Sequence, residues 1–167
     1  MTHSPTPSQT VGPFFGFALP FPLDADAVDP GDPRALRIEG QVLDGAGDPV
    51  PDALLEAWQT DAFARCRTDA EGAFHFVLRK PRPLTAPDGR AQAPHLNVTV
   101  FARGLLRQLV TRLYFPDEEA ANAVDPVLNL VADPEARSTL VAANDGPGKL
   151  RFDVRLQGDR ETVFFAI

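Results

Sequence analysis

Leu36-Arg37-Ile38-Glu39-Gly40-Gln41-Val42-Leu43-Asp44-Gly45-Ala46-Gly47-Asp48-Pro49-Val50-Pro51-Asp52-Ala53-Leu54-Leu55-Glu56-Ala57-Trp58 is the stretch that decides the fold. Leu36, Ile38 and Val42 alternate with Arg37, Glu39 and Gln41, the period of a half-buried strand. Asp44, Gly45, Gly47, Asp48 and Pro49 then crowd together. Gly and Asp tolerate positive φ and Pro presets a turn dihedral, so the chain is expected to reverse here. Ala53 to Trp58 reads as the returning strand, ending on the only Trp of the sequence. Thr68-Asp69-Ala70-Glu71-Gly72 is a second turn, opening onto Phe74-His75-Phe76-Val77-Leu78. Strand, turn, strand, repeated, predicts the edge of an all-β sandwich of two mainly antiparallel sheets.

Outward from that stretch, the other strands follow from the same alternation. His95-Leu96-Asn97-Val98-Thr99-Val100-Phe101 places Leu96, Val98 and Val100 on one face and His95, Asn97 and Thr99 on the other. Leu109 to Phe115 is a further strand, with Arg112 and the sole tyrosine, Tyr114, facing away from Leu113. Leu150, Phe152, Val154 and Leu156 alternate with charged residues and are expected in the core, and Val163-Phe164-Phe165 reads as a short closing strand. Pro116 followed by acids, and Asp133 before Pro134, mark two short helices. Residues 81–94, rich in Pro, read as a surface loop. Residues 1–35 carry seven prolines, which argues against a regular helix. They also carry Phe14, Phe15, Phe17, Leu19, Phe21 and Leu23, too many large apolar groups for a free tail. An extended arm packed on its own domain and one packed on a partner are equally compatible with that composition. The exposed area that six such residues would leave makes an interface element the expectation.

At 167 residues the chain is expected to be one domain, 1–167, with 1–35 as the arm. A net charge of −7 argues against nucleic acid as a partner. One cysteine, Cys66, cannot form an internal disulfide, which suits a reducing cytoplasm. No positively charged region followed by an apolar run opens the sequence, and no apolar run is long enough to span a bilayer. A soluble cytoplasmic protein, with no membrane partner, is expected.

Residues alone point to little chemistry. There is no Gly-rich phosphate loop, no nucleophile elbow and no Cys pair for zinc. Cys66 lies between Arg65 and Arg67, a setting that lowers a thiol pKa, but without a placed base an inert thiol is the better reading. Arg103, Arg107 and Arg112 lie close enough in sequence to clamp a carboxylate, although solvated surface arginines are commoner.

Motifs add what composition does not. Gln41-Val42 to Pro49-Val50 and on to Glu56-Ala57-Trp58-Gln59 resembles the core pattern of the intradiol ring-cleavage dioxygenases. The arm Pro7-Ser8-Gln9-Thr10-Val11-Gly12-Pro13, with Ala93 to Asn97, Phe101 to Gly104, Thr111 to Phe115, Pro126 to Leu130 and Gln157 to Phe165, is similar to the α subunits of the heteromeric members that act on protocatechuate (3,4-dihydroxybenzoate). The resemblance implies intradiol cleavage with O2 to 3-carboxy-cis,cis-muconate, in aromatic catabolism by the β-ketoadipate pathway. The family holds a non-haem Fe(III) with two Tyr and two His, the histidines spaced His-x-His so that both share one strand face. Here those positions are His95 and Asn97, and Tyr114 is the only tyrosine. The segment between Trp58 and Phe74, where the family places its first ligand tyrosine, is short. The resemblance therefore implies that no metal binds this chain, that His95 and Asn97 are vestigial positions, and that Fe(III) belongs to a homologous partner β subunit. It further implies that Thr10, Gly12, Pro13 and Arg103 line the substrate cleft at the α–β junction. A stand-alone prealbumin-like ligand-binding or interaction sandwich is the alternative, and it has no reason to carry the arm or the Phe101-Ala102-Arg103-Gly104 motif. A single-chain metalloenzyme is excluded by the tyrosine count.

Overall fold

The computed structural model describes residues 7–12, 14–60, 62–86 and 88–166. Two sheets face each other. The first is built on strand β1 (Ala35–Leu43), and the second carries β2 (Leu54–Gln59) and β3 (Ala62–Arg67). In chain order β4 (Ala73–Arg79), β5 (Leu84–Thr85), β6 (Ala91–Gln92), β7 (His95–Phe101), β8 (Leu109–Tyr114), β9 (Ala143–Asn144), β10 (Lys149–Arg151) and β11 (Val154–Arg155) follow. The second sheet runs β3-β2-β7-β8, antiparallel throughout. In the first, β1 is flanked by antiparallel β4 on one edge and by parallel β10 and β11 on the other, with β9 beyond β10. Ile38, Val42, Leu55, Ala57, Phe76, Leu78, Leu96, Val98, Val100 and Leu113 fill the space between the sheets, so the expected sandwich is present.

Both predicted turns exist, but each hands the chain from one sheet to the other. Asp44 Oδ1 accepts from the amides of Ala46 and Asp48 at 2.9 Å each, and Gly47 takes φ +87°. The Val50 amide still donates to Val42 O at 2.9 Å. Pro49 and Pro51 have no amide to donate, so the ladder against β1 ends there and β2 joins the opposite sheet. Thr68 pins both crossings: its Oγ1 accepts from Ala53 N at 2.9 Å and donates to Val50 O at 2.7 Å. The segment read as returning beside β1 is thus its neighbour across the core.

The stretch 150–156 was expected as one strand and is two. The register holds across the break, Ile38 pairing with Leu150 and Val42 with Val154. Between them Gly40 lies so close to Phe152 that a Cβ would stand 1.8 Å from Phe152 O and 2.8 Å from Phe74 Cζ. The Gln41 amide donates to the Asp153 side chain at 2.9 Å, where a regular ladder would offer a carbonyl. Leu150, Phe152 and Val154 are buried and Leu156 packs half-buried against them, as expected.

Three further expectations are corrected. Within the proline-rich arm one helical turn, α1 (Phe15–Ala18), forms in the gap before Pro20. Residues 81–94 are more than loop, carrying the β5–β6 hairpin. Val163 to Phe165 is irregular, because Thr111 Oγ1 rather than a backbone amide donates to Val163 O, at 2.7 Å; a backbone bond from Phe165 N to Val110 O remains. The two helices from Pro and acid signals are present as α2 (Glu119–Asn122) and α3 (Pro134–Ser138), the second capped by Asp133 accepting from Glu135 N. Among the described residues no helix is long and apolar enough to cross a membrane.

Candidate functional site

The outer face of the second sheet carries two places of interest. By register, Phe63, Trp58, Asn97 and Arg112 form one row across β3, β2, β7 and β8. At the next row His95 pairs with Tyr114. There the face is roofed by a smaller apolar cluster of Ala93, Leu128 and Leu140, which buries both rings completely. His95 Nδ1 lies 2.8 Å from Ala93 O and so carries the proton, while Nε2 is buried with no partner among the described residues. Tyr114 donates its hydroxyl proton to Asp125 at 3.0 Å. Asp125, itself buried, also accepts from the amides of Ala93, Val127 and Leu128 at 2.8–2.9 Å. Sequence reading had no role for Asp125; only a fold that brings 93, 114 and 127 together exposes one.

These groups do not fit a ferric ion. Burial pushes the Tyr114 hydroxyl far above its ordinary pKa, so it is a phenol rather than a phenolate. Asn97 offers an amide where imidazole is needed. Among the described residues no three His, Cys, Asp or Glu side chains stand together as a metal site.

Burial also holds His95 below its usual pKa; the nearby Arg112 charge lowers it further, with the Ala93 carbonyl and Asp125 acting the other way. The sign of the linkage follows. Unfolded, the imidazole takes a proton as pH falls through about 6.5, while the folded protein resists. The His95 contribution to stability is therefore expected to be level above pH 7 and to fall below 6.5 by up to about 1.4 kcal/mol per pH unit until the folded pKa is reached. His75, also depressed by burial, adds to the same slope. Urea titrations at pH 7.5 and 5.5 on the parent and on His95→Gln check this: the variant should lose part of the slope, and an equal slope in both would refute the assignment.

The second place is a cavity of about 490 Å³ between the arm and the loop after β7, lined by Thr10, Gly12, Phe15, Gly16, Phe17, Asp52, Arg67, Arg103, Gly104 and Leu106. Thr10, Gly12 and Arg103, far apart in sequence, meet here; Pro13 lies outside the described residues. The arm is held in place by β3. Arg65 forks onto Glu56 and donates to Leu19 O at 2.7 Å, and its own amide donates to Asp24 O. The Arg67 guanidinium sits 5.4 Å over the Phe17 ring and 3.4 Å from Gly16 O. Arg103 is exposed, with Nε 2.7 Å from Asp52 Oδ2.

The three arginines weighed as a clamp do not converge. Arg107 lines a neighbouring hollow, and Arg112 donates to Gln92 and Tyr114. The second cation of the cavity is Arg67, visible in sequence only as a flank of Cys66. Arg65 and Arg67 project to the outer face and Cys66 to the core side, so their charge does not activate the thiol, and burial pushes its pKa up. Apolar walls, two guanidinium groups and one carboxylate make a site suited to a flat aromatic anion. A larger cleft is lined by Arg34, Arg79, Lys80 and Arg82; of these Arg34 and Arg79 are paired with Asp32, and Lys80 with Asp117 and Glu118. Beside the cavity, Phe14, Phe17, Phe21 and Leu23 of the arm are exposed, as are Trp58 and Phe63 of the open row.

No family model matches the sequence. The chain is 43% identical to the protocatechuate 3,4-dioxygenase alpha chain of Burkholderia cepacia over 99% of both chains, and 40% identical to that of Pseudomonas putida over 96% of this chain and 95% of the other. It is also 31% identical to the B. cepacia protocatechuate 3,4-dioxygenase beta chain, over 87% of this chain and 77% of that one. Among solved structures, the dioxygenase domain of a carbohydrate-binding fusion from Streptomyces sp. SirexAA-E superposes with a TM-score of 0.59 at 27% identity, covering 93% of this chain and 99% of that one.

Proposed function

The chain belongs to the intradiol ring-cleavage dioxygenases, on the side of the protocatechuate 3,4-dioxygenase alpha chains, and from that membership we propose that it is the iron-free α subunit of an enzyme that opens protocatechuate with O2. The family's non-haem Fe(III) is then held by a β subunit, and the ring-opening chemistry falls to that partner. This chain supplies walls, charge and water exclusion at the junction: Thr10, Gly12 and Pro13 from the arm, Arg103 from the loop after β7. The exposed aromatic residues of the arm and of the Trp58–Phe63 row are the surface that the homologous β chain covers. Half-buried Cys66, unpaired, fits a cytoplasmic setting.

The observation that carries this reading is the cavity that joins Thr10 and Gly12 to Arg103 beside Arg67. In a protein of net charge −7 a local excess of cations favours capture of an aromatic carboxylate. Co-production with a β chain, followed by sizing, iron analysis and an assay on protocatechuate, tests it; a pair that never associates refutes it. In the assembled enzyme Arg103→Ala is expected to raise KM for protocatechuate about tenfold, or about 1.4 kcal/mol, with a smaller change in kcat, because the contact is made in ground and transition states alike. Catechol, lacking the carboxylate, is expected to show little change. An equal shift in KM for both substrates would mean that Arg103 shapes the loop and does not meet the carboxylate.

A further inference from the structure

The geometry points to Asp52 as the charge that lets this cleft tell substrate from product, an inference that rests on the function proposed above. Asp52 follows the proline turn between β1 and β2, and its carboxylate stands 2.7 Å from Arg103 Nε while lining the same cavity. The nearest approach of Arg103 to Asp52 is through Nε, and among the described residues its two terminal nitrogens donate no hydrogen bond. An acid placed against the one cation that meets a carboxylate weakens capture, so its presence calls for a benefit elsewhere in the turnover.

The reaction itself supplies one. Cleavage breaks the ring bond between the two hydroxyl-bearing carbons, and each of those carbons gains one atom of O2. O2 takes up four electrons from the ring, both hydroxyl protons leave, and two new carboxylates appear. A substrate with one negative charge becomes a product with three. The cavity lining carries Arg67 and Arg103 against Asp52, a balance of one positive charge. Substrate neutralises that balance; product overfills it by two charges. Asp52 thus opposes product more strongly than substrate, and does so only once the ring has opened. Its carboxylate acts as a specificity-determining charge that favours release.

Two added carboxylates at about 8 Å in a water-rich cleft set the scale. Asp52→Asn in the assembled αβ enzyme is expected to lower the ratio of the inhibition constant of 3-carboxy-cis,cis-muconate to KM for protocatechuate about fivefold, opening a gap between the two, while KM itself moves less than about threefold. The gap should narrow as salt rises, since separations of this size are screened near one Debye length. Asp52→Glu keeps the charge and should keep the parent ratio of product inhibition constant to KM. Asp52→Ser, read in the same way, covers a failure of the Asn variant to assemble. A ratio unchanged in the uncharged variants, or a gap insensitive to salt, overturns the role of Asp52. The function itself falls separately, if the chain and a β chain never associate.

Discussion

Gly40→Ala is expected to destabilise the protein by at least about 4 kcal/mol, in the exceptional range for one methyl group. The reason is space, not backbone conformation. Gly40 sits on the core face of the central strand, and an added Cβ would meet backbone, Phe152 O at 1.8 Å and Phe152 C at 2.7 Å, with Phe74 Cζ at 2.8 Å. A flexible side-chain tip can turn aside, but here β1 would have to part from the β10–β11 edge, losing the Phe152 N to Glu39 O bond of 2.8 Å with it. Against a total stability of roughly 5–15 kcal/mol, that loss brings the chain close to unfolding. Gly47 is the control. It has φ +87° and open space around its Cα, so Gly47→Ala should cost only about 1 kcal/mol, the strain of a left-handed residue. Urea unfolding of both variants separates the two effects. A Gly40→Ala protein within about 1 kcal/mol of the parent would show that the sheet edge can move.

Purified without a β chain, the protein is expected to be colourless, to hold no stoichiometric iron and to leave protocatechuate uncleaved. The β7 face offers one imidazole, buried, and an amide two residues on. The lone phenol keeps its proton and donates it in a hydrogen bond to Asp125 in a closed cluster. Asn97→His is the demanding version of the test. It restores the His-x-His spacing, yet Tyr114 remains a buried phenol and no second tyrosine exists in the sequence, so the variant should stay colourless. A ferric–phenolate charge-transfer band in either protein, with one iron per chain, would overturn the claim.

Period-two alternation was enough to read β7 residue for residue, because its inward and outward positions differ cleanly in polarity. It was not enough for pairing. Nothing local says that the chain changes sheets at Pro49 and Pro51, or that the C-terminal strand lies parallel beside β1, since both depend on partners remote in sequence. The break at Phe152 is likewise invisible in a run of perfect alternation, because its cause is Gly40, more than a hundred residues away. At the cavity the arm motif and Arg103 were legible from resemblance. Arg67 and Asp52 were not, for they enter only through the packing of α1 on β3 and the end of the turn before β2. Asp125 shows the same limit: four donors reach its carboxylate from three separate segments.

The parallel pairing along β1 also sets an order of events in folding. Gln41 and Asp153, joined side chain to backbone, are 112 positions apart. Closing a loop of that length costs about 4 kcal/mol of chain entropy, more than the tight β2–β3 hairpin or the longer-looped β7–β8 hairpin asks for. Those hairpins belong to the early, fast phase, and the β10–β11 edge of the first sheet arrives last, as long-range pairing does in slow β folders. Until then the most central strand of the molecule presents a row of free amides and carbonyls, a template for the wrong chain. Crowded synthesis or mild heating lengthens that interval, and the hazard it creates lies in the nascent protein, not in the finished one.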